Sequence, residues 1–171
     1  MNGNTLPVLA LFLSLIWIDV PFVRQEEKGC GAASISMVMQ YWRSEGYPVP
    51  EESSSPSRIM QLLYSKPEEG IRAEDLTRYL QEHGFQTFSF SGKLDDLTHH
   101  IEKGRPLIVS LEAEGKTGKL HFLVVSGIDS QNDLVLVNDP AERKLLKMKS
   151  TSFEKRWKAT KNWTLLAVPD Q

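Results

Sequence analysis

The chain of 171 residues has one cysteine, no excess of either charge and no apolar run long enough to cross a bilayer. A single thiol excludes an intramolecular disulfide and a zinc site built from several thiolates. A formal net charge of -2 and a pI near 6.1 leave no basic footprint for nucleic acid. The longest apolar stretch, residues 6–18, contains Ser14 and falls short of the about 20 residues that a spanning helix needs. What remains is the composition of a globular protein, 40% hydrophobic and 25% charged, at a length that suits one domain with a sizeable core.

Residues 6–18 have the length of the apolar region of a signal peptide. No Lys or Arg precedes Leu6 and no Ala-x-Ala site follows. We expect residues 1–17 to form an apolar N-terminal segment that exports the chain or tethers it to a membrane, with residues 18–171 as one extracytoplasmic domain. The competing expectation is a buried N-terminal element of a cytoplasmic protein.

Residues 18–23 read as an extended strand. Ile35, Val38, Met39 and Trp42 recur at three- and four-residue spacing, which predicts a helix over 29–44, ended by Gly46-Tyr47-Pro48. A polar loop over 51–57 leads to a second helix opened by Pro56. A third starts at 70–72, carries Leu76, Tyr79 and Leu80 on one face, and stops at Gly84. Residues 85–90 alternate as a strand, and 94–103 form a short helix. Strands then follow over 106–111, 120–128, 134–138 and 145–149, a helix over 152–158, and a last strand over 163–168. Helices first and a mostly antiparallel sheet second is the α+β pattern.

The lone Cys30 sits in Gln25-Glu26-Glu27-Lys28-Gly29-Cys30-Gly31-Ala32-Ala33. A thiol in the first turn of a helix feels the positive end of the helix dipole, which favours thiolate, the form that attacks carbonyls. The small Gly31, Ala32 and Ala33 would let a substrate carbonyl approach the Cys30 backbone amide. Gln25 supplies a side-chain amide donor on the other side, completing an oxyanion hole. Against this stands the ordinary role of a lone cysteine as a small buried hydrophobe.

A nucleophile needs a base. His121 opens one strand and Asn138-Asp139-Pro140 closes the next, with a polar turn over 129–133 between them. In an antiparallel hairpin, facing residue numbers have a constant sum, here about 262, which sets His121 opposite residue 141. Asp139 then lies within about two residues of facing His121, where its carboxylate can hold one imidazole nitrogen and leave the other for the thiol. Asn138 competes for that third role, because adjacent strand residues point to opposite faces. Phe122 should face away from His121. His83, before Gly84, suits a helix-end carbonyl cap, and His99 and His100 lie on the polar side of a short helix.

Two look-alikes fail on context. Residues 110–117 resemble a phosphate loop but precede a strand rather than a helix. Residues 129–133 hint at a calcium loop but lack its Gly and its closing Glu. No metal or cofactor is expected.

Taken together, Val20-Pro21-Phe22-Val23-Arg24-Gln25, Gly29-Cys30-Gly31-Ala32-Ala33, the run from His121 to Gly127 and Asn138-Asp139-Pro140 make the chain resemble a known family. It is similar to the bacteriocin-processing C39 peptidases and their stand-alone bacterial C39-like relatives, within the papain-like superfamily. The likeness runs from about Asp19 to the end of the chain, with Phe153, Trp157 and Trp163 fitting too. It implies a papain-like cysteine peptidase fold, with N-terminal helices packed on a mostly antiparallel sheet. It implies Cys30 as nucleophile, His121 as base, Asp139 as orienting residue and Gln25 as oxyanion donor. The expected substrate is a peptide or protein, and the expected state a monomer. The transporter domains of the best-known members are not in this sequence, so specificity for a Gly-Gly leader does not carry over. The competing functions are a non-catalytic peptide-binding module of the same fold and a cell-wall amidase or endopeptidase.

Overall fold

The computed structural model describes residues 15–116 and 118–170. Its elements in chain order are β1 (Leu15–Trp17), α1 (Cys30–Ser44), a 3-10 turn (Glu52–Ser54), α2 (Pro56–Leu63), α3 (Ala73–Glu82), β2 (Phe85–Ser91), α4 (Leu94–Glu102), β3 (Leu107–Glu112), β4 (Leu120–Asp129), β5 (Leu134–Asn138), β6 (Leu146–Lys149), α5 (Ser150–Lys158) and β7 (Trp163–Pro169). The α+β expectation holds, and nearly every element lies where periodicity puts it.

The sheet runs β2-β7-β3-β4-β5-β6, with β1 on β4 beyond the start of β3. All its pairings are antiparallel. Helices cover both faces, a second layer that the order of elements does not reveal. Ile108, Phe122 and Val124 pack in the cluster of α1, α2 and α3, while Leu107, Val109, Leu111, Leu123 and Val125 pack with α4 and α5. That is why β3 and the middle of β4 are almost continuously apolar: with both faces dry, period-two alternation disappears. Trp157 and Phe153 of α5 are among the largest fully buried side chains, and truncating either to Ala would cost about 3–5 kcal/mol.

The β4–β5 register follows the hairpin arithmetic at the end that matters. Val124 faces Asn138 and Val125 faces Val137, and a bulge between Val125 and Gly127 shifts the rest by one. Beyond the bulge Gly127 accepts β1. A Cβ there would stand 2.8 Å from the Ile16 carbonyl oxygen and 2.8 Å from the Trp17 Cβ, so only glycine lets the strand dock.

The strand expected over 18–23 is displaced. The ladder covers Leu15–Trp17, and residues 18–25 run on without one, since Pro21 has no N–H to give. Their polar groups bond sideways instead: Ile18 N–H to the Ser126 carbonyl at 2.8 Å and Gln25 N–H to the Pro140 carbonyl at 2.9 Å. Of the apolar N-terminal segment, residues 1–14 lie outside the described residues, while Leu15–Trp17 belong to the sheet. No helix among the described residues is long and apolar enough to cross a membrane.

Candidate active site

Cys30 is the first residue of α1. The approach is a tight turn closed by Gly29 N–H to the Glu26 carbonyl at 3.0 Å, with Lys28 in the left-handed region at φ 59. Lys28 Nζ donates to Glu69 Oε1 at 2.7 Å, joining this turn to the α2–α3 loop. The first turn of α1 holds no acidic residue, so no carboxylate there opposes the dipole at the sulfur.

The small residues after Cys30 serve packing, a different role from the substrate access read from sequence. A Cβ on Gly31 would stand 3.2 Å from Ile71 Cβ and 3.6 Å from Phe122 Cδ2, while Ala32 and Ala33 are buried in the core. Their size lets the head of α1 lie close against β4 and the residues leading into α3.

His121 and Asp139 meet as the hairpin register predicts. His121 Nε2–H donates to Asp139 Oδ1 at 2.7 Å, with both side chains largely buried. The same Oδ1 accepts the Ala141 N–H at 2.9 Å, and Glu142 N–H closes the turn on the Asp139 carbonyl at 3.0 Å. Asp followed by Pro suits such a turn, because the carboxylate caps its own backbone. Cys30 lies against the ring as well, near enough for the imidazole and the Phe122 amide to bear on its thiol.

The electrostatics follow from these contacts. Burial pushes the Cys30 thiol up, but the His121 hydrogen bond, the Phe122 and Gly31 amides and the imidazole charge outweigh it, so its pKa falls below 9.0. Burial pulls His121 down, yet its bonds to Asp139 and Cys30 and their charges win, pushing it up to about 9. Burial likewise raises Asp139, and His121, the Ala141 amide and the nearby Arg156 charge together hold it below the usual carboxylate range. The two shifts are coupled: the imidazolium charge lowers the thiol, and the thiolate charge raises the imidazole.

Asn138 points elsewhere. It is fully buried, its Nδ2 donates to the Val20 carbonyl at 3.0 Å, and its Oδ1 accepts the Leu145 N–H at 3.0 Å. Phe122 joins the α1-side core, edge-on to Trp163, apart from the His121–Asp139 pair. His83 Nδ1 lies 2.7 Å from the Tyr79 carbonyl, the helix-end role expected of it. The phosphate-loop look-alike joins β3 to β4. Among the described residues no group of three His, Cys, Asp or Glu could hold a metal ion.

Gln25, Cys30, His121 and Asp139 all line one cleft of about 1360 Å³. The Gln25 Oε1 is buried without a hydrogen-bond partner among the described residues. One wall comes from the α2–α3 loop and the other from the β3–β4 loop, with Arg156 of α5 beside Asp139. Sequence inspection missed the α2–α3 wall and Arg156, which sit in no recognisable motif. It also missed the Phe122 amide, which only the register of β4 places at the sulfur.

The sequence profile of the Peptidase C39 like family matches residues 17–165, and the chain belongs to that family. Solved structures share the fold. A Bacillus anthracis protein described as a putative C39-like peptidase superposes with a TM-score of 0.71 at 17% identity, covering 92% of this chain and 98% of that one. The peptidase domain of Streptococcus ComA, a bi-functional ABC transporter of a quorum-sensing pathway, gives 0.68 at 21%, covering 89% and 100%. A double glycine motif protease from an AMS/PCAT transporter, solved in complex with a leader peptide, gives 0.64 at 20%, covering 90% and 94%. No curated protein matches the chain.

Proposed function

We propose that this member of the C39-like family is a cysteine peptidase that cleaves peptide bonds with Cys30, His121, Asp139 and Gln25. The observation that carries the proposal is the 2.7 Å hydrogen bond between His121 and Asp139 in the cleft that Cys30, at the start of a 15-residue helix, also lines. The Cys30 thiolate attacks the scissile carbonyl carbon, and its charge moves to the carbonyl oxygen. The Cys30 N–H and the Gln25 carboxamide N–H face that oxyanion. His121 gives its proton to the leaving amine as the C–N bond breaks, leaving a thioester. A water deprotonated by His121 then attacks the thioester, releasing the acid and restoring the pair. Asp139 keeps the ring in the tautomer that this needs.

A structural neighbour holds a leader peptide, which supports a peptide as the substrate of this cleft; that the enzyme acts as a monomer is part of the proposal. The test is trapping with iodoacetamide or an epoxide, mapped by mass to Cys30, followed by a cleavage screen on a peptide library. Cleavage that persists after Cys30 is fully blocked would overturn the proposal. Export by the apolar N-terminal segment belongs to the same proposal. Because Leu15–Trp17 pair with β4, processing that keeps the sheet whole cuts before Leu15. Cell fractionation with N-terminal sequencing of the mature chain tests it.

A further inference from the structure

Resting on that assignment of the site, we propose that Arg24 is a positioning residue which locks Gln25 and the Asp139 turn into one register. The turn after Asp139 offers three successive carbonyls, and a single dipeptide takes all of them. Gln25 N–H donates to Pro140 O at 2.9 Å, Arg24 Nη2 to Glu142 O at 2.9 Å and Arg24 Nη1 to Ala141 O at a longer 3.4 Å. Between those carbonyls lies the Ala141 N–H that fixes Asp139 Oδ1, the oxygen that also holds His121. The planar guanidinium fork therefore braces the carboxylate from behind, and the peptide it belongs to leads directly into Gln25. Two functional groups 114 residues apart share one clamp.

An exposed arginine usually contributes little. This one acts on backbone carbonyls in a fixed fork that lysine cannot reproduce. Loosening the turn frees Asp139 to rotate, and the imidazolium loses part of its hold. The groups bearing on the ring are Cys30 from α1 and Asp139 from the turn after β5, and Asp139 in turn feels Arg156 of α5.

The experiment measures the iodoacetamide alkylation rate of Cys30 against pH in the full chain, for wild type, Arg24→Ala, Arg24→Lys and Lys144→Ala. The last breaks the neighbouring Lys144–Asp19 ion pair, whose side chains bond none of the three carbonyls. We expect the wild-type inflection below the free-thiol range. It moves upward in Arg24→Ala and by less in Arg24→Lys, and does not move in Lys144→Ala. With a cleaved peptide in hand, kcat of Arg24→Ala falls on the order of tenfold with KM changed by less than about twofold. An Arg24→Ala profile that overlays a depressed wild-type profile would overturn the proposal and leave the site assignment standing. A wild-type inflection at the ordinary thiol value would overturn the site assignment, and the proposal with it. If Arg24→Ala fails to fold, Arg24→Lys decides alone, and an unmoved profile there overturns the clamp.

Discussion

The β4–β5 hairpin carries an aspartate turn at each end. At the far end Asp129 Oδ1 accepts the Asn132 N–H at 3.1 Å and Oδ2 accepts Asn132 Nδ2 at 2.8 Å. At the near end Asp139 Oδ1 accepts the Ala141 N–H at 2.9 Å, and also His121 Nε2–H from 18 residues earlier at 2.7 Å. Both carboxylates are buried and both cap their own backbone. The local chemistry is the same, because Asp closes a turn in the same way wherever it stands. The surroundings differ. Past the bulge the far end of β4 is flanked by β1, whereas the near end opens on the cleft beside the head of α1. A turn can orient a carboxylate, and only its neighbours give that carboxylate a proton to govern.

The contrast breaks hardest at His121. His121→Ala should cut turnover of a cleaved peptide by about a thousandfold or more, with the far-ultraviolet circular dichroism unchanged. Retained turnover would make the near end as structural as the far one. Gln25→Ala should lower kcat by about a hundredfold with little change in KM, since an oxyanion exists only during reaction. A pure KM effect would assign Gln25 to substrate binding instead.

Asp139→Asn should lose less than His121→Ala, because a carboxamide oxygen still accepts the Nε2–H. Its neighbour separates function from structure. Asn138→Ala strands the Val20 carbonyl and the Leu145 amide, at a cost of about 2 kcal/mol in urea unfolding with turnover kept. Greater loss of turnover in Asn138→Ala than in Asp139→Ala would return Asn138 to the third role.

The pH profile of kcat/KM sharpens the near end further. On the alkaline side it should fall through about 9, where the imidazolium loses its proton. On the acid side it should fall at a pH below the ordinary thiol value of 9.0, where the thiolate takes one up. An acid limb at the ordinary value would mean that the ion pair does not form. The smallest effect belongs to the far end. Asp129→Ala should lower Tm by a few degrees, matching about 1 kcal/mol for its lost turn bonds, and leave turnover untouched.

The start of α1 at Cys30, the breaks at Gly46, Gly84 and Gly104, and the β4–β5 register were legible from consecutive residues, because periodicity and turn chemistry act over a few positions. The hairpin arithmetic even brought Asp139 to His121. What the sequence could not disclose joins segments that are far apart along the chain. The Asn138 carboxamide is spent on Val20, Arg24 and Gln25 grip the turn after Asp139, and α4 and α5 form a second layer on the sheet. The same holds for Gly31, whose smallness answers to Ile71 and Phe122 rather than to a substrate. Consecutive residues were enough to point to the groups proposed for the chemistry and to roughly where each stands along the chain. Which of two adjacent polar side chains faces the cleft, and what braces it there, was decided only by packing, since those contacts do not exist until the distant segments meet.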